Sequence, residues 1–132
     1  MTNDEINMKK YILPLLLSTN LLTGCSLSAS GQNASLAQPQ QVEQLATLVA
    51  SSGFLRDHCQ RSDVPAKAKL ITAAYSQAKS KGWVLNGAAE QQLAARAKSI
   101  LTDLNRDGTP LAEKCAYFNQ QLAPFIELAR RQ

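Results

Sequence analysis

The chain has 132 residues, a formal net charge of +4 and 18% charged residues. That length allows one small domain at most, and with basic residues dispersed and aromatics at only 5% there is neither a phosphate-tracking cluster nor a run of base-stacking platforms. Nucleic acid is not an expected partner, whereas a mild attraction to acidic lipid or an acidic protein fits the charge.

The first element is an export signal. Met8-Lys9-Lys10 supplies a basic start, Tyr11 to Leu17 a short apolar run, and small residues lead to a cysteine. The run is too short for the ~20 apolar residues of a membrane span, and Pro14, Ser18, Thr19 and Asn20 interrupt it. Asp4 and Glu5 suit a signal start poorly, which makes Met8 an alternative start to Met1. Leu22-Thr23-Gly24-Cys25 resembles the lipobox of bacterial lipoproteins. The resemblance implies cleavage before Cys25, a diacylglycerol on its sulfur and a further acyl chain on its new amine. Ser26 is not the aspartate associated with inner-membrane retention, so the resemblance implies the outer membrane. Residues 1–24 are therefore expected to leave, and Lys9 and Lys10 leave with Asp4 and Glu5, so the charge stays near +4.

Residues 25–38 are expected to be the acylated cysteine and a flexible tether. From Ser26 to Gln38 the chain is rich in Ser, Ala, Gly, Asn and Gln, too polar to bury apolar surface. Its root-mean-square reach would be about 20 Å. Residues 39–132 are expected to form an α-helical domain.

Four helical segments follow. The first spans about residues 40–59, with Val42, Leu45, Ala46, Leu48, Val49 and Leu55 at three- and four-residue steps, and with Ser51, Ser52 and Gly53 weakening its second half. Ser62 or Asp63 offers a cap for the second, over about residues 65–81, which carries Leu70, Ile71, Ala74, Tyr75 and Ala78 on one face and stops at Gly82. The third begins after Asn86 and carries Leu93, Ala97, Ile100, Leu101 and Leu104. The fourth is expected to start with Thr109 as cap and Pro110 at the first helical position. Its stripe is Leu111, Cys115, Phe118, Leu122, Phe125, Ile126 and Ala129, with a kink at Pro124. No convincing strand pattern occurs. The fold class is all-α, a small four-helix bundle.

If Cys25 is acylated, Cys59 and Cys115 are left as a pair in an oxidising compartment and read as one disulfide. A reactive thiol or metal pair is the competing reading; a metal would need more ligands, and His58 is the sole histidine. His58 and Cys59 are neighbours about 100° apart on a helix, so they form no dyad. Catalytic residues, cofactors and a resident metal are none. Asp103-Leu104-Asn105-Arg106-Asp107-Gly108 matches the start of a calcium loop, but its twelfth position is Lys114, not a bidentate carboxylate. A polar turn with Gly108 left-handed is the expected structure. Trp83 reads either as a core plug or as a wall of a binding groove. On the first helix, Leu45, Leu48, Ser52, Leu55 and Cys59 form one stripe, and Val42, Ala46, Val49 and Gly53 another. Either the bundle buries both, or one lines a groove for a partner helix.

Three stretches carry a wider resemblance: Phe54-Leu55-Arg56-Asp57-His58-Cys59-Gln60-Arg61-Ser62-Asp63-Val64-Pro65, then Lys81-Gly82-Trp83, then Thr109-Pro110-Leu111 with Lys114-Cys115 and Phe118 to Phe125. With the lipobox, they resemble the α-helical pilotins of type II secretion systems, of the PulS/OutS type. The resemblance implies a four-helix domain with one disulfide, matching Cys59 and Cys115, and no enzymatic activity. It implies a partner, the C-terminal segment of the secretin, which folds into a helix in a concave groove. The protein would protect that secretin and carry it to the outer membrane, with the lipoprotein sorting machinery as a further partner and the lipid anchor holding it at the periplasmic face. The groove residues expected are Val42, Leu45, Leu48, Val49, Ser52 and Trp83. The alternative is a small envelope lipoprotein that inhibits or shields against an envelope enzyme.

Overall fold

The structure, a computed structural model, describes residues 37–132. The signal, Cys25 and nearly all of the expected tether lie outside the described residues. The described residues form five helices: α1 (Gln38–His58), α2 (Lys67–Ser80), α3 (Gly87–Arg106), α4 (Leu111–Gln121) and α5 (Ala123–Arg130). No strand occurs among them.

Helix α1 is the post around which the others stand. Pro39 lies in its first turn, where a missing backbone N–H leaves no helical bond unmade. Its buried residues, Val42, Leu45, Ala46, Val49, Ala50, Phe54 and Leu55 among them, lie on more than one face. Helices α2, α3 and α4 all pack on α1, and α5 packs on α2. The neighbours contribute Leu70, Ala73, Ala74 and Ala78 from α2, Ala89, Leu93 and Ala97 from α3, and Leu122, Phe125, Ile126 and Ala129 from the α5 region. Many of these are alanines, so the helices approach closely and the core is small.

Helix α4 is held differently, since none of its residues is buried. A disulfide joins Cys115 to Cys59 at the end of α1, with Cα atoms 5.6 Å apart. Beside it Phe118 packs edge-on against Phe54 at 5.8 Å, and His58 tilts against the same ring at 4.8 Å. The Lys114 ammonium lies 5.2 Å from the Phe54 centroid, a cation–π contact. The loop after α1 adds polar stitching. Arg61 grips the Asp63 carboxylate through Nε and Nη2 at 2.7 and 2.8 Å, and also donates to Asn119 of α4. Arg130 of α5 donates to the same carboxylate.

The structure departs from the expected pattern at several ends. The fourth segment is two helices, broken at Leu122, because Pro124 has no N–H to donate to the preceding turn. Thr109 does not cap α4. Pro110 takes the N-cap position, its carbonyl accepting from Glu113 N and Lys114 N at 3.0 and 3.1 Å. Ser62 and Asp63 do not cap α2, which starts at Lys67 after Ala66; Asp63 is engaged by the two arginines instead. Gly108 is not left-handed; among the described residues positive φ occurs at Gln60 and Gly82. The Asp103–Gly108 turn is organised by Lys114, whose Nζ donates to the carbonyls of Leu104 and Asp107, both at 2.9 Å. At the twelfth position of the calcium-like pattern stands a cation belonging to the chain itself.

Two outcomes follow. Closing a 56-residue separation removes about 4 kcal/mol of unfolded-state freedom in the chain-entropy model. Reduction should therefore lower the melting temperature and raise amide hydrogen exchange in α4 more than in α1, measurable by exchange mass spectrometry. The Asp63 carboxyl is held far below its ordinary value of 3.8, mainly by the Arg61 hydrogen bonds. Its folded pKa is depressed, so its contribution is present above the ordinary value and fades as pH falls below it. Asp63→Asn should lower stability at neutral pH, with the difference from wild type shrinking in acid denaturation below that value.

Candidate partner-binding groove

Of the concave surfaces beside α1, two lie on nearly opposite sides of it. The first runs between α1 and α3, closed at one end by the start of α2. Val49, Ala50, Leu70, Ala97 and Leu101 make its apolar lining, around a cavity of about 130 Å³. Arg56, Asp57, Lys67 and Lys98 stand among the lining residues, a surplus of positive charge. Gly53 also lines it. A Cβ built on Gly53 would meet nothing within 4 Å, and its backbone is ordinary helix. Glycine inside a helix costs roughly 0.5–1 kcal/mol relative to alanine. Nothing in the fold of this chain offsets that cost. A partner's backbone approaching α1 would.

The second surface is shallower and lies between the first half of α1 and the end of α2. Leu48 and Trp83 are its half-buried apolar members, with Glu43, Gln44, Thr47, Gln77 and Lys81 around them. Trp83 is placed by the end of α2. Gly82 adopts φ +72°, which turns the chain back on the helix. Trp83 N then bonds Ala78 O at 2.9 Å and Gly82 N bonds Lys79 O at 3.0 Å, the paired bonds of a Schellman motif. The indole lands against the core, and Lys81 Nζ lies 5.0 Å from its centroid.

The residues expected to line one groove are thus divided. Val42, Leu45, Val49 and Ser52 are 0–4% exposed. They are core, because α1 has neighbours on several sides and the bundle takes in both stripes. Val49 reaches the floor of the first surface and Leu45 that of the second, while Leu48 and Trp83 line the second and not the first. An aspartate at Val49 would disturb the core before it met a partner. Ser52 Oγ is buried without a hydrogen-bond partner. Ala97 and Leu101, expected on a core stripe, line the first surface, and Arg56, Lys67 and Lys98, which carry no sequence motif of their own, stand beside them. The signal for the groove was Gly53, in mid-helix without a turn to make.

His58 is exposed and stacks on Phe54, while Cys59 is oxidised, so neither forms a nucleophile pair. A small helical domain with a single disulfide and an apolar, basic-edged groove beside its central helix is a binding module for another polypeptide. The chain belongs to the type II secretion system pilotin lipoprotein family, PulS/OutS, whose model matches residues 22–127. It is 36% identical over 124 residues to the pullulanase secretion protein PulS of Klebsiella pneumoniae, covering 93% of this chain and 98% of that one. It is 37% identical over 103 residues to the pilotin OutS of Dickeya dadantii, covering 78% and 76%. Among solved structures it is similar to a pilotin–secretin peptide complex, at TM-score 0.67 and 36% identity over 72% of this chain and 98% of that one. It is similar also to a chain of the Klebsiella pneumoniae type II secretion outer membrane complex of PulD, PulS and the PulC HR domain, at TM-score 0.66 and 34% identity over 72% and 100%.

The left-handed turn that sets Trp83 is testable. Gly82→Ala should destabilise the domain by about 1 kcal/mol, read by denaturant titration, because a Cβ at φ +72° is strained.

Proposed function

We propose that this chain is a non-catalytic carrier that binds the C-terminal segment of a type II secretion secretin as a helix in the α1–α3 groove. By the same reading it holds that secretin at the outer membrane through a lipid on Cys25, with the domain on the periplasmic side. Family membership and the match from residue 22 onward, which takes in Cys25, support the anchor. The likeness to a pilotin in complex with a secretin peptide supports the ligand class. The observation that carries the site is Gly53, a glycine that the fold does not use, in the lining of an apolar groove.

The groove suits a helix that orders as it binds. Burying its apolar face supplies affinity, and ordering the segment costs about 2–5 kcal/mol, so binding is moderate and reversible. A carrier that must hand over its cargo to a growing assembly requires that balance. Leu48 and Trp83, on the other side of α1, take no part in this contact.

Calorimetric titration of the domain with the secretin's C-terminal peptide should give one-to-one binding, with the peptide becoming helical by circular dichroism. Gly53→Ala should raise the stability of the free domain by about 0.5–1 kcal/mol. Gly53→Gln should leave the domain folded and weaken the peptide severely by filling the groove. Full affinity in Gly53→Gln would move the peptide to another surface.

A further inference from the structure

The corner formed by Trp83, Val84, Lys79 and Lys81 has no part in the groove. Val84 is 87% exposed, an apolar side chain presented to solvent directly after the tryptophan. Lys81 lies over the Trp83 ring at 5.0 Å, and Lys79 is exposed on the last turn of α2. Of the acidic groups near it, Glu43 is engaged by Arg96 at 2.6 and 2.9 Å. An indole, an exposed aliphatic side chain and lysines together are the composition of a surface that sits among lipid headgroups, where the rings and stems go down and the ammonium groups stay with phosphates.

The position of this corner matters as much as its composition. Asn86 Nδ2 donates to Gln38 Oε1 at 3.3 Å, which puts the α2–α3 connection beside the first residue of α1. Gln38 lies 13 positions after Cys25. The chain enters the bundle at this end of α1, and the other end lies about 31 Å away along the 21-residue helix. A chain held by Cys25 therefore brings the Gln38 end of the bundle to the membrane far more often than the His58 end.

We infer that Trp83, Val84, Lys79 and Lys81 form a membrane-facing corner that seats the domain on the anionic lipid surface to which Cys25 is anchored. The inference rests on the lipid anchor of the proposed function. Such a patch is too small to recruit the domain alone. Tethering changes this, because a short linker holds its cargo at millimolar effective concentration, enough to populate a contact of millimolar affinity. Seating this corner fixes the bundle's orientation, with the α1–α3 groove on the flank and open to a partner.

Trp83 is the sole tryptophan of the chain, so its fluorescence reports on this corner directly. The mature, lipidated chain would be reconstituted into phosphatidylethanolamine–phosphatidylglycerol vesicles, with and without lipids brominated on their acyl chains. The expected result is flotation with the vesicles, a blue-shifted emission and quenching by the brominated lipids. Val84→Asp and Lys81→Glu, both at exposed positions, should float equally, stay helical by circular dichroism and lose most of the quenching. Flotation with no shift or quenching would overturn the membrane-facing corner and leave the anchor standing. Failure of the lipidated preparation to float would overturn the anchor and this inference with it.

Discussion

The rest of the structure depends on the burial of helix α1. Its apolar residues are spread over more of its circumference than one neighbour can cover, so α2, α3 and α4 must all pack on it. Even polar residues are drawn in: Ser51 and Ser52 are almost completely enclosed, and Ser52 Oγ is left without a partner. A helix so surrounded has little surface to offer another protein. It offers some at Gly53, where the absence of a side chain opens the backbone between α1 and α3. The groove is thus a consequence of the packing, a gap left in a central helix that is otherwise covered.

A small core of alanines and a few larger residues cannot hold every element by burial, and α4 shows how the deficit is met. It has no buried side chain. A covalent bond from Cys115 to Cys59, an edge-on ring contact and a lysine over Phe54 take the place of an apolar face. The ionic stitching of Arg61, Asp63 and Arg130 ties the α1–α2 loop to α5 in the same way. These devices act at the His58 end of α1. They suit an exported domain, since the disulfide persists only in an oxidising compartment.

The surface features divide along the same axis. The cross-link and the ion cluster sit at one end of α1, the groove along its side, and the corner with Trp83 and Val84 beside Gln38 at the other. The chain belongs to the pilotin family and is similar to a pilotin in complex with a secretin peptide.

Helix content, the pairing of Cys59 with Cys115, the start of the third helix after Asn86 and the stop at Gly82 were legible along the chain. Each depends on a local rule: periodicity, a count of cysteines, a side chain that accepts from Ala89 N at 2.8 Å, a residue free to take positive φ. The caps assigned to Ser62, Asp63 and Thr109 failed because the helices start later, after Ala66 and Pro110, and Asp63 is held by Arg61 and by Arg130, far along the chain. The sequence by itself determined which residues are apolar, which helices they make and that Gly53 stands in one of them. Only the tertiary structure decided that Val42, Leu45, Val49 and Ser52 are core and that the groove opens at Gly53 between α1 and α3. The reason is physical: a helix's own pattern tells how wide its apolar face is, but not which neighbours cover it, and accessibility belongs to the assembled set of helices.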